Sequence, residues 1–132
     1  MKLRTLYALA FTGFLFGCGG PFLVFPGGAL SGDVVSEPVT DWSFVDDSFV
    51  DLETRPSDPY SVELNYFVVD EKLYIDPADG RTWLEHIRSD PRVRVRFDGK
   101  VYPAVAVLAG EPGELDGFDP ERFVYRIDSR PE

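Results

Sequence analysis

The sequence predicts a mainly β protein, a small antiparallel β-barrel carrying one short helix. Three observations predict it. Apolar residues alternate with polar ones in several short runs, which is the period of a half-buried strand. Asp, Gly and Pro residues with turn chemistry separate those runs at short intervals, as in all-β domains. A further window, 81–90, has the three-to-four spacing of a helix. The chain has 132 residues, 44% of them hydrophobic, which suffices for one domain with its own core.

Taken in order, Asp41, Trp42, Ser43 and Phe44 alternate polar and aromatic, as a short edge strand does. Residues 49–54 form a second strand, with Val50 and Leu52 on one face and Asp51 and Glu53 on the other. Pro56 and Pro59 make 55–59 a stiff loop, because proline fixes φ and has no N–H to donate. Residues 61–69 read as one long strand whose Val62, Leu64, Tyr66 and Val68 share a face. Asp70-Glu71 turns the chain into a strand at 72–75. In the helix, Thr82 and Glu85 have capping-box spacing, and Trp83 and Ile87 lie one turn apart on a core face. Pro91 stops it by pushing the preceding residue out of helical geometry.

Residues 92–97 and 100–108 form a hairpin around Asp98-Gly99, a dipeptide that accepts positive φ at both turn positions. Counting outward from that turn sets Val95 opposite Tyr102 and Arg94 opposite Pro103. Proline offers no ladder donor, so Pro103 needs a non-bonded or edge position. The Gly- and acid-rich 111–118 is a loop, 119–121 starts a turn, and 123–128 is the closing strand.

An address precedes this domain. Lys2 and Arg4 form a positive start, 6–16 is apolar, and Leu15-Phe16-Gly17-Cys18 resembles a bacterial lipobox. That resemblance implies lipidation of Cys18, the sole cysteine. Residues 6–25 are also long enough to cross a bilayer uncut, since about 20 apolar residues suffice. Both readings keep Lys2 and Arg4 inside and put the rest on the extracytoplasmic, periplasmic side of the envelope. The organisation expected is a signal peptide or membrane anchor over 1–17, a connector over 18–40 with a buried-looking Leu30, and the barrel over 41–132.

The formal net charge is −10, and beyond Cys18 there are 11 basic residues against 23 acidic. Such a surface repels phosphate backbones and argues against general nucleic-acid binding. It equally disfavours adhesion to anionic lipid by charge alone. No nucleophile triad, phosphate loop or zinc spacing is present in the sequence. Asp76, Asp79 and Gly80 have turn chemistry and too few oxygens for calcium. Arg92, Arg94 and Arg96 make a row on one strand face, read as paired with the abundant acids ahead of an anion site. His86, beside Glu85, reads as a solvated helix residue.

Two stretches, RPSDPYSVELNYFVVDEKLYI and WLEHIRSDPRVRVRFDGKVYPAVAVL, resemble the split-β-barrel flavin-binding proteins, a group that includes pyridoxamine-phosphate oxidase-like proteins and deazaflavin-dependent nitroreductases. Trp83-x-x-His86-Ile87 followed by Pro91-x-Val93 is most similar to the deazaflavin group. The resemblance covers about 41–130. It implies a split antiparallel barrel, a homodimer, and FMN or a deazaflavin in a groove at the dimer interface. It further implies a cofactor phosphate near the helix start, held by Arg81, Thr82 and Trp83, with Tyr60 and Ser61 lining the same groove. Two positions depart from the group: His86 stands where it has Asn, and Trp83 where oxidase-like members have a basic phosphate ligand. The expected function is a membrane-tethered domain binding a flavin-like ligand, an oxidoreductase if it turns over. The alternative is a non-catalytic envelope scaffold that kept the barrel.

Overall fold

The computed structural model describes residues 21 and 25–131, so the segment expected to be a signal or anchor, 1–17, and Cys18 lie outside the described residues. The element order is β1 (Asp33–Val34), β2 (Val50–Thr54), β3 (Tyr60–Leu64), β4 (Phe67–Val69), β5 (Lys72–Ile75), α1 (Thr82–Ser89), β6 (Arg92–Phe97), β7 (Lys100–Gly110) and β8 (Val124–Ser129). Seven strands hydrogen-bond in the order β3-β2-β6-β7-β8-β5-β4, and β1 joins β7 in parallel.

The two outermost strands of that order, β3 and β4, are consecutive in the chain and separated by Asn65 and Tyr66 alone. A flat sheet of this width would hold its edges roughly 30 Å apart at about 4.8 Å per strand spacing. The three peptide steps from Leu64 to Phe67 reach at most about 11 Å. The sheet therefore curls until its edges meet, and the segment 60–69 crosses the seam from one edge to the other. The result is a split antiparallel barrel. The long strand expected at 61–69 is thus two strands with different neighbours. Its inward set, Val62, Leu64, Tyr66 and Val68, packs on the core as its alternation predicts.

Trp83, Leu84 and Ile87 point into the barrel from α1, which packs against β2 and β3. They join Leu52, Ile75, Val93, Val95 and Ile127 in one apolar cluster. Each fully buried aliphatic side chain there contributes about 1.5–3 kcal/mol by leaving water. Pro91 ends the helix as expected, with Asp90 extended at its C-terminus. Asp90 accepts from the Arg92 guanidinium at 2.7 and 3.0 Å and from the Arg92 backbone N–H, which holds its pKa down to about 2.

The hairpin register matches the count from Asp98-Gly99: Val95 faces Tyr102 and Arg94 faces Pro103. On its other side, β7 exchanges β1 for β8 around Pro103. The Pro103 carbonyl accepts from the Arg130 N–H at 3.1 Å, and the missing proline N–H falls where the neighbour changes.

Three expectations are corrected. Residues 41–44 are a turn, not a strand: the Ser43 N–H donates to Asp41 Oδ1 at 2.8 Å and the Val45 N–H to the Trp42 carbonyl at 3.2 Å. Local Asx bonding outcompeted pairing there, and Trp42 is buried while Phe44 stays exposed. No capping box forms, because Arg81 takes the N-cap position and shifts Thr82 to the first helical residue; Glu85 pairs instead with Arg88 at 3.2 Å. The described part of the expected connector, 25–40, packs onto the barrel. Gly27 and Ser61 exchange backbone hydrogen bonds at 2.8 and 2.9 Å, Leu30 is 4% exposed, and β1 continues the sheet. A Cβ on Gly32 would collide with the Gly99 carbonyl, so glycine sets how closely this segment approaches the hairpin tip.

The Asp70-Glu71 turn has positive φ at both positions, 50° and 70°, without a glycine. A side chain in that region costs about 1–2 kcal/mol, partly offset by the entropy glycine adds to the unfolded chain. Glu71→Gly should raise unfolding stability by about 0.5–1 kcal/mol, read as a higher urea midpoint at unchanged slope.

Candidate functional site

The crossing segment leaves the β3 edge before it reaches the β5 edge, and the seam stays open at the helix end of the barrel. A cleft of about 450 Å³ fills this opening. Tyr60, Val62 and Leu64 of β3 form one wall. Asp76, Pro77 and Ala78, following β5, form the other, and Arg81, Thr82 and Trp83 close the floor at the start of α1. Pro26 and Arg122 complete the rim.

Four of the five residues expected at a ligand, Arg81, Thr82, Trp83 and Tyr60, line this one cleft. Ser61 does not: it is wholly buried and its hydroxyl donates to the Gly28 carbonyl at 2.7 Å. Alternation explains this, since Tyr60 and Val62 face the seam and Ser61 turns outward beneath the connector. Trp83 belongs to the barrel core and is 6% exposed, so it offers the cleft an edge.

The helix start gives the floor its polarity. The amides of Thr82 and Trp83 precede the first intrahelical acceptor, and no side chain caps them. Arg81 is exposed beside them and forms no salt bridge among the described residues. Uncapped amides, the positive end of the helix dipole and a guanidinium together favour an anion.

The opposite wall carries the other sign. The Asp76 side chain is 8% exposed, and burial pushes its pKa above the usual carboxylate value against the pull of Arg122 at 3.9 Å. Glu63, on the β3 wall, adds a second carboxylate to the lining. Sequence reasoning missed Asp76, Glu63 and Arg122 as site residues. Asp76 was legible as a turn residue, whereas Arg122 reaches the rim through the Ala78–Arg122 bridge between distant segments.

His86 lies behind the Tyr60 wall and is not solvated as expected. Its Nδ1 is 2.8 Å from Thr54 Oγ1, its ring meets Tyr60 edge-on at 4.9 Å, and it is half-buried. Burial, and then the Arg55 charge, lower its pKa. The arginine row is spent on acids: Arg96 binds Asp51 at 2.7 Å and Arg94 lies 3.5 Å from Glu53, each pair directly cross-strand. Glu53 is 3% exposed and also accepts from the Leu30 N–H at 2.7 Å. No cluster of His, Cys, Asp and Glu suited to a metal occurs among the described residues.

Fold and site thus define a split-barrel protein with a polarised cleft in its seam. No protein-family model matches the chain, and no curated protein matches it. Solved structures do align with it, two of them as follows. One is a putative pyridoxamine 5'-phosphate oxidase from Listeria innocua, 16% identical over 65% of this chain and 85% of that one, with a TM-score of 0.49. The other is an FAD-binding protein from Mesorhizobium loti, 20% identical over 64% of this chain and 80% of that one, also with a TM-score of 0.49. The architecture of the present chain stands on its own strand registers.

The His86 shift fixes a pH dependence. Its folded pKa lies below the unfolded value near 6.5, so between the two the unfolded chain binds a proton the native chain refuses. Stability from this group is full above about pH 6.5 and falls as pH drops to the folded pKa. Asp76, raised when folded, changes in the opposite direction at lower pH. The urea midpoint of wild type should therefore fall more steeply than that of His86→Gln between about pH 7.5 and 5. Parallel curves would show that His86 stays as accessible in the folded chain as in the unfolded one.

Proposed function

We propose that this chain is a membrane-tethered binding domain that holds a heteroaromatic, phosphate-bearing ligand of the flavin or deazaflavin class in its seam cleft. The observation that supports this above others is the uncapped helix start with Arg81 on the floor of a cleft of small-molecule size. The anionic end of the ligand would lie at Arg81, Thr82 and Trp83. Tyr60, Val62 and Leu64 would flank its rings, and Asp76 and Glu63, one on each wall, suit N–H donors. A bound flavin would supply the redox chemistry of an oxidoreductase, and this chain would bind and orient it. Self-association into a homodimer is part of the proposal. Exposed Phe67 and Val69 on β4, with Phe67 edge-on to Phe118 at 5.7 Å, support it.

The second reading, an interaction scaffold without a cofactor, draws on the two cleft carboxylates, which oppose a second phosphate charge. Titration of the full chain in mild detergent with FMN and with a deazaflavin nucleotide separates the two. Saturable tryptophan quenching is expected, weakened about tenfold in Arg81→Ala, the loss of about 1.4 kcal/mol. Flat titrations of folded protein leave the scaffold.

The anchor is proposed on the sequence: Lys2 and Arg4, then the apolar run to Phe25 with Cys18 inside it. Palmitate labelling in a bacterial host should mark the wild type and miss Cys18→Ala. Equal labelling, or none in either, would favour the uncut span.

A further inference from the structure

The position at which the chain leaves its anchor constrains the direction of the cleft. Residues 6–25 are apolar apart from Thr12, and Pro26, the next residue, is part of the cleft rim. Gly27 is fixed to the β3 edge by its reciprocal bonds with Ser61, and Ser61 Oγ adds a 2.7 Å bond to the Gly28 carbonyl. Leu30 is buried, and its N–H bonds the carboxylate of Glu53. No slack polar tether therefore separates the anchor from the folded unit.

The remaining length is short under both anchor readings. With Cys18 lipidated, residues 19–25 span at most about 25 Å when fully extended. With an uncut span, the rim follows the apolar run directly. A domain of roughly 105 residues is about 33 Å across, from the radius of gyration of compact domains. The tether is shorter than the body it carries, so the rim at Pro26 cannot turn to the far side. Phe25, 66% exposed, adds an aromatic ring at this edge, a residue type that suits the headgroup region.

We infer that the lipid surface is the partner of the Pro26 rim and that the cleft mouth faces the bilayer, an orientation that rests on the membrane-anchor reading. The ligand then enters between domain and membrane, and a molecule dissolved in the outer leaflet meets Arg81 before bulk solutes do.

The two tryptophans report orientation from opposite ends of the barrel. Trp83 lies at the cleft. Trp42 packs on Phe97 and Tyr102 and bonds to the Glu71 carbonyl in the β4–β5 turn, at the other end of the strands. The full chain is reconstituted into phosphatidylcholine vesicles containing headgroup-spin-labelled phosphatidylcholine, as wild type and as Trp42→Phe. The expected result is flotation with vesicles and stronger quenching in Trp42→Phe, where Trp83 emits alone, than in wild type. A Gly/Ser linker of about 30 residues inserted between Phe25 and Pro26, with an r.m.s. span near 30 Å, should abolish that excess while flotation persists. Flotation with equal or weaker quenching in Trp42→Phe overturns the orientation and leaves the anchor standing. Failure to float overturns the anchor and the orientation together. The linker insertion leaves the core untouched, so it tests the inference even if Trp42→Phe misfolds; unchanged wild-type quenching after insertion also overturns it.

Discussion

The structure depends on one short covalent link. Asn65 and Tyr66 tie strands that belong to opposite edges of the sheet, and no open arrangement of seven strands satisfies a connection of that length. Curling follows from it, and curling creates an interior that α1 fills with Trp83, Leu84 and Ile87. The crossing also creates the cleft, since a segment that pairs first with β2 and then leads into β5 leaves the seam uncovered where it has not yet crossed. Barrel closure and cleft have the same cause. Lengthening the link would relax both.

A domain with a large acidic excess must still place its bases, and it places them by register. Asp51 faces Arg96 and Glu53 faces Arg94 because the β2–β6 pairing is fixed by apolar residues on the opposite face. The pairs are consequences of core packing as much as causes of it. Glu53 is the expensive member: a nearly inaccessible carboxylate is tolerable when it is bonded, here through Oε2, which accepts from both Arg94 and the Leu30 N–H. That bond from Leu30 makes the upstream segment part of the domain's electrostatics. Docking of Gly27 also occupies part of the free β3 edge, a site that would otherwise template pairing with another chain. With no cysteine downstream of Cys18, no disulfide holds this segment, and its hydrogen bonds do so instead.

Elements governed by local rules were legible in the sequence. Asp98-Gly99 fixed its hairpin to the residue, and Pro91 fixed the end of the helix. Errors arose where two local rules competed or where distant segments decided. Trp42 and Phe44 alternate like a strand, but Asp41 bonds its own neighbour's backbone and wins the contest. Thr82 and Glu85 have capping spacing, but capping depends on which residue leaves helical geometry first, and Arg81 does. The continuous alternation through 60–69 predicted the inward face correctly while hiding the change of partner, because side-chain period carries no information about which strand lies beside it. The cleft was legible in part for the same reason. Its floor is local to the helix start, and Tyr60 follows from strand parity, whereas Arg122 and Pro26 come from far ends of the chain and meet there through topology.

That meeting of ends links address to chemistry. Were 26–40 a free tether, anchor and cleft would be independent, and the domain would sample every orientation above the membrane. Bonds from Gly27, Gly28, Leu30 and Ser31 to Ser61, Glu53 and Arg96 remove that freedom. Under the proposed anchor the polarity of the cleft acquires a direction, because the rim at Pro26 and the cationic floor belong to one opening. An acidic domain gains nothing from general attraction to an anionic leaflet, so under this proposal selectivity for an anionic ligand would rest on Arg81 and the helix start. The net charge repels bulk anions, and the exposed Arg81 guanidinium at the helix start is the local exception.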